Sequence, residues 1–138
     1  MNIQPQCTNH LVKSEDLNHH GTLYAGRTAE WFVEAGFIAA AKLTNPENIV
    51  CLKIHGMQFS EPVRRGEILH MESKIVLTGK TSLVAYIQAL RHDKLLLYGF
   101  ITFVHVNKSG QPTPHGITIK ATSAEDKTLQ EQARNLSR

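Results

Sequence analysis

The stretch Asn18-His19-His20-Gly21-Thr22-Leu23-Tyr24-Ala25-Gly26-Arg27-Thr28-Ala29-Glu30-Trp31-Phe32-Val33-Glu34-Ala35-Gly36 decides the reading of this chain. Its first half is a polar loop with two histidines and a glycine. Its second half opens an alanine-rich run over residues 24–43 that no proline interrupts. That run is the one long helix the sequence predicts. Thr44-Asn45-Pro46 stops it, because the residue before a proline avoids the α region. The first turn of a helix leaves backbone N–H groups without partners, so a loop-to-helix junction of this kind can hold a carbonyl oxygen or a developing oxyanion.

Before the helix, residues 3–13 suit an edge strand and residues 14–22 a loop. After it come four strand-like segments, at 48–60, 67–78, 82–91 and 94–106. The second of these alternates, with Leu69, Met71, Ile75 and Leu77 set against His70, Glu72 and Lys74. The last is almost wholly apolar, as a strand flanked on both sides should be. Turn-like breaks separate them: Pro62-Val63-Arg64-Arg65-Gly66, Gly79-Lys80 and His92-Asp93. Ser123-Ala124-Glu125-Asp126 is close to a capping box and opens a short, polar C-terminal helix.

The order is strand, helix, then four strands joined by short turns. It predicts an α+β fold in which an antiparallel five-stranded sheet wraps one long central helix. A helix of about 19 residues is about 28 Å long, enough to cross such a sheet. Residues 1–138 read as one domain, with a core over about residues 5–115 and a helical tail over about 120–138. One helix cannot cover the whole sheet, so self-association is expected.

Composition narrows the classes. The chain has 138 residues and is 41% hydrophobic and 20% charged, so it can bury an ordinary core. Its net charge of +3 is scattered, which argues against a nucleic-acid surface and suits a small anionic ligand. No apolar run approaches the length of a bilayer span, and the N-terminus does not read as a signal peptide. The expected location is cytoplasmic, with no membrane partner. Cys7 and Cys51 have no metal or redox spacing and read as buried thiols.

Several side chains could do chemistry. Glu30 and Glu34 share one helix face with Arg27 a turn earlier; they are either a solvated face with an Arg27–Glu30 pair or carboxylates in use. Val33, Phe37 and Ala40 mark the expected core face, with Gly26 and Gly36 allowing close approach. In the loop, Asn18 can orient water or a carbonyl, and His19 or His20 can serve as base or ligand contact. The alternative is that these are ordinary loop residues. His55 interrupts an apolar strand, whereas His10, His92 and His115 look superficial. Arg64, Arg65, Lys80 and Arg91 fall near strand ends, where they either protect edges or pair with phosphates.

The loop-and-helix stretch resembles the signature of hotdog-fold acyl-CoA thioesterases, usually close to N-x-x-G-T-L-F-G-G followed by a helix bearing a carboxylate. The resemblance covers roughly residues 5–115. It extends to Glu30-Trp31, Glu34-Ala35-Gly36, Phe59-x-x-Pro62-Val63-x-x-Gly66-Glu67-Ile68, Gly79-Lys80-Thr81-Ser82 and Phe103-Val104. It implies a hotdog fold and an acyl-CoA thioester hydrolase with no cofactor beyond the CoA of its substrate and no metal. It also implies a homo-oligomer, a dimer at least and a tetramer or hexamer by further assembly. In such enzymes an Asn in one subunit's loop and an Asp on another subunit's helix commonly form the site. Asn18 falls on the first position. The second falls on Val33, which can neither activate water nor accept a proton. Glu34, Glu30 or a loop histidine could replace that Asp, or the chain could bind acyl-CoA without hydrolysing it. The resulting assignment places Asn18, Glu34, His19 and the Gly26 N–H at the reaction. His20, His55, Arg64, Arg65, Lys80, Thr81 and Ser82 are placed on the substrate.

Overall fold

The computed structural model describes residues 1–136. Five strands form one antiparallel sheet: β1 (Gln6–Leu11), β2 (Ile49–Ile54), β3 (Ile68–Thr78), β4 (Ser82–Arg91) and β5 (Lys94–His105). Their order across the sheet is β1-β3-β4-β5-β2, so β1 and β2 are its edges. Helix α1 (Ala25–Ala41) crosses the concave face, and α2 (Ala124–Arg134) packs on the other. The sequence expectation of an α+β hotdog arrangement is met. Residues 137 and 138 of the predicted tail lie outside the described residues.

Local chemistry explains the elements. His92 and Asp93 both take positive φ, 50° and 64°, between the paired Arg91 and Lys94. Two such residues match the twist of the strands they join, which makes β4 and β5 a tight hairpin. Alternation on β3 buries Leu69, Met71, Ser73 and Ile75 toward α1. A bulge after Ile75 then turns Val76 to the opposite face. There Val76 meets Leu129 and Ala133 of α2, and its carbonyl accepts a hydrogen bond from Gln130 Nε2 at 3.1 Å.

Packing against the sheet fixes the rotation of α1. Thr28, Phe32, Ala35, Gly36, Ala39 and Ala40 are buried. Of the expected core face, Ala40 is buried, while Val33 and Phe37 lie on the flank, half-buried, about one residue or 100° around from Phe32 and Gly36. A Cβ on Gly99 of β5 would sit 2.6 Å from the Gly56 carbonyl oxygen and 3.0 Å from the tip of Phe32. Only glycine lets that strand, the crossing chain and the helix meet there.

Three further expectations are corrected. The strand expected over 48–60 ends at Ile54, and Gly56, with φ +90°, turns the chain away. Cys7 and Cys51 are exposed on the edge strands, not buried. His10 and His115 are partly buried: His10 stacks on Trp31 at 4.2 Å, and His115 bonds the Ser82 carbonyl at 3.0 Å.

Candidate active site

The loop before α1 is held by a residue the sequence reading passed over. Asp16 is buried, and its carboxylate accepts from the Lys13 N–H at 2.9 Å while lying 3.5 Å from Arg27 Nε. Arg27 therefore pairs with Asp16, not with Glu30 as one sequence reading had it. The Lys13 backbone bond, aided by the two cations, holds the Asp16 carboxyl below its usual range. The Asp16 carbonyl in turn accepts from Tyr24 N–H at 2.8 Å, which sets the start of the helix.

Asn18 organises the loop tip. Its Oδ1 accepts from the His20 N–H at 2.9 Å and the Thr22 N–H at 3.1 Å, and its Nδ2 donates to Thr22 Oγ1 at 3.1 Å. Two backbone donors fix which amide atom is the oxygen. The oxygen is thus occupied, and what Asn18 has left to offer is its second Nδ2 proton. His19 and His20 stand at the exposed tip with ring centroids 3.9 Å apart. Tyr24 caps α1 without a side-chain bond, and the N–H groups of Ala25 and Gly26 meet no acceptor among the described residues. The Tyr24 ring lies where a Cβ on Gly26 would stand, so that glycine is needed for the ring to fold back.

A cavity of about 360 Å³ opens beside this junction. Asn18, Ala25 and Thr28 form one wall, Leu69 and Leu97 of the sheet form the floor, and residues 59–63 form a roof. The roof is fastened. Ser60 donates to the Leu96 carbonyl from its Oγ at 2.7 Å and from its N–H at 3.3 Å, and Leu23 N–H donates to the Val63 carbonyl at 2.7 Å. Arg91 donates to the Pro62 carbonyl and to Glu61, each at 3.0 Å, and Lys94 reaches Glu61 at 2.9 Å. Arg91, one of the candidate phosphate ligands, is instead engaged in this clamp. Phe59, Pro62 and Val63, known from the sequence only as parts of a motif, are thus cavity-lining residues.

The remaining candidates divide. Arg64 stands at the mouth, beside Glu61 and Pro62 in an open pocket of about 380 Å³; Arg65 is its exposed neighbour. Gly26, Glu30, Val33 and Glu34 line a different hollow, shallow and apolar, that continues over Phe37 to Phe103. Both glutamates are exposed. Within one chain, then, Asn18 and Glu34 flank α1 without sharing a cavity. His55 lines neither: its Nε2 bonds Thr102 Oγ1 at 2.7 Å, and burial, then Lys53, pushes its pKa down, so the ring is held neutral. Lys80, Thr81 and Ser82 sit at the β3–β4 turn, the other end of β4 from Arg91 and about 30 Å away along the strand. There they hold β5 and the following segment, through His105 N–H to the Thr81 carbonyl at 2.7 Å and His115 N–H to that of Lys80 at 3.2 Å. One protomer does not bring them to Asn18.

The comparisons with known proteins agree with this geometry. The family model for the Thioesterase superfamily matches residues 20–97. An uncharacterized acyl-CoA thioester hydrolase of Bacillus subtilis (strain 168) is 22% identical over 116 residues, 80% of this chain and 67% of that one. The cytosolic acyl coenzyme A thioester hydrolase of Rattus norvegicus is 25% identical over 130 residues, 88% of this chain but only 34% of the rat enzyme. Among solved structures, an apo-hexameric acyl-CoA thioesterase superposes with a TM-score of 0.86 at 27% identity, over 94% of this chain and 86% of that one. With more than half its length matched, the chain belongs to the thioesterase superfamily.

Proposed function

We propose that this chain hydrolyses acyl-CoA thioesters at a site completed between two copies. The observation that carries the proposal is the roofed apolar cavity opening beside Asn18 and the unpaired N–H of Ala25. Apolar walls suit an acyl chain, and the polar corner suits the thioester carbonyl. The free Nδ2 proton of Asn18 and a helix N–H donate to the carbonyl oxygen and stabilise it as charge develops there. A base takes one proton from water, and the water oxygen forms the C–O bond. The C–S bond then breaks, and the thiolate leaves to be protonated, giving carboxylate and CoA thiol.

Glu34 is the base that this reading prefers, with His19 second. Glu34 stands one residue beyond Val33, so it acts on the substrate of the partner that covers the hollow beside it. That hollow, with Val50, Leu52 and Ile54 exposed at 47%, 56% and 41% on the β2 edge, supports burial against a second copy. Assembly to a hexamer, as in the solved thioesterase above, is the further step we propose. Arg64 and Arg65 take the phosphates of CoA from the mouth, and Lys80, Thr81 and Ser82 can reach a substrate only from another subunit. A reducing compartment such as the cytoplasm suits two exposed, unbridged thiols, and no helix among the described residues is long and apolar enough to cross a membrane.

The test is thiol release from short-, medium-, long-chain and aromatic acyl-CoAs by the wild type, Asn18→Ala and Glu34→Gln. Release by the wild type that falls in both variants supports the reading. No release from any ester by correctly folded protein overturns it.

A further inference from the structure

The outer face of the sheet, opposite the cavity, carries a cluster that the thioesterase reading does not use. Cys7 on β1 is the cross-strand partner of Glu72 on β3, and His70 lies two residues before Glu72 on the same face. The thiol, an imidazole nitrogen and a carboxylate oxygen of these three all lie within 4.8 Å of one another. Tetrahedral coordination by sulfur, nitrogen and oxygen at zinc distances sets ligand atoms about 3.3–3.8 Å apart, so side-chain adjustments of an ångström or less close the set. Sequence spacing could not reveal it, because Cys7 is far from the other two in the chain and meets them only through strand pairing.

We propose that Cys7, His70 and Glu72 form a binding site for one zinc-class divalent cation, with a fourth position open to water. The hydrogen bonds around the triad point the same way. His70 Nδ1 lies 2.7 Å from Asn9 Oδ1, and His70 Nε2 lies 3.1 Å from Glu72 Oε1. Asn9 holds the Nδ1 side of the ring, and Nε2 is directed at the Glu72 carboxylate, so a cation placed between them would meet both. A histidine fixed through its other nitrogen is how metal-ligating imidazoles are oriented. Glu72 is oriented likewise, since Gln88 Nε2 donates to its Oε2 at 2.6 Å. Lys74, the nearest cation along β3, is paired with Asp126 at 2.7 Å. Beside Cys7 and Glu72 a pocket of about 310 Å³, bounded by Pro5 and Tyr86, leaves room for a fourth ligand. Thiolate, imidazole and carboxylate together favour zinc over calcium or magnesium.

Cobalt(II) is the probe. Protein freed of metal with a chelator is titrated with Co²⁺ while absorbance is followed. One Co²⁺ per chain should bind and give a thiolate-to-metal charge-transfer band. Cys7→Ser should abolish that band, and Cys51→Ser should leave it unchanged. His70→Ala should weaken binding by about 100-fold and Asn9→Ala by about tenfold, as losses of a ligand and of its orienting partner do. Zn²⁺ should displace the Co²⁺ and raise the Tm of the wild type more than that of Cys7→Ser. Thiol release from acyl-CoA should be the same in Cys7→Ser as in the wild type, since the site lies across the sheet from the cavity. No stoichiometric binding, or binding that Cys7→Ser leaves unchanged, overturns the proposal; the latter result would place the metal on other residues.

Discussion

The two hollows that flank α1 differ in how they are closed. The one beside Asn18 has a floor, a wall and a roof from its own chain, and six polar contacts pin that roof. The one beside Glu34 has apolar walls and no cover. A single chain therefore supplies one closed cavity and one open apolar surface. In the proposed reading, burying the second hollow against another copy brings the exposed Glu34 carboxylate to the partner's cavity. The difference also explains why apolar side chains run nearly around α1: one side serves the chain's own core, the other a neighbour.

Removing either half should abolish the reaction with the cavity intact. Glu34→Gln is expected to lower kcat by about 10²–10⁴-fold, the usual contribution of a general base, with KM little changed. A Glu34→Gln enzyme of full activity would remove Glu34 from the reaction. Filling the finished hollow should act on selectivity instead. Ala89 of β4, the cross-strand partner of Leu97, also lines the cavity; Ala89→Leu adds bulk there and should reduce kcat/KM for long-chain esters by about tenfold more than for short-chain ones. Equal losses on both would mean that the acyl chain lies elsewhere.

Smaller effects are expected at the roof. Arg91→Ala frees Glu61 and Pro62 and should raise KM about two- to fivefold, with faster hydrogen exchange at the Ser60 and Leu23 N–H groups. The clamp also titrates. Glu61 is held below its ordinary 4.5, first by the Lys94 hydrogen bond. Its folded pKa is thus lower than its unfolded one. The stability it adds is complete above the unfolded value and is lost as pH falls through the folded value. Protection of the Ser60 N–H, measured against its intrinsic exchange rate at each pH, should therefore fall in acid in the wild type, and change less with pH in Glu61→Gln.

The smallest change is expected away from both hollows. His10 Nε2 is buried with no partner, and burial, outweighing Glu34, lowers its pKa from 6.5. A histidine that resists charging when folded costs stability once the unfolded chain can take the proton, so stability falls as pH drops below about 6.5. His10→Phe keeps the stack on Trp31 and removes both penalties. It should raise stability by about 1 kcal/mol or less and flatten the decline between pH 7 and 5 in chemical denaturation. An unchanged pH profile would show that His10 is solvated when folded.

What could be read from the residues follows from how local each signal is. The alternation of β3, the Pro46 stop after α1 and the His92-Asp93 turn are local, and each was legible. The end of β2 was not, because the run through Phe59 is apolar for different reasons on its two halves. Up to Ile54 it is an edge strand with exposed apolar side chains, and from Phe59 it is the cavity roof. The rotation of α1 was misjudged because Val33 and Phe37 are as apolar as Phe32 and Ala35. The Asn18 and Glu34 candidates came from position along the chain. That they lie in separate hollows depends on the sheet, which no spacing encodes. Asp16 with Arg27, and Cys7 with His70 and Glu72, are likewise pairings made only by folding.

Mixing two disabled variants tests most directly whether the site spans two copies. Asn18→Ala and Glu34→Gln are each expected to be nearly inactive alone. Unfolded together in equal amounts and refolded, they should form mixed dimers in which one of the two sites keeps both residues. Random pairing then restores about a quarter of wild-type thiol release. Activity that stays at the level of the separate variants, in dimers verified to be mixed, would contradict a site shared between chains.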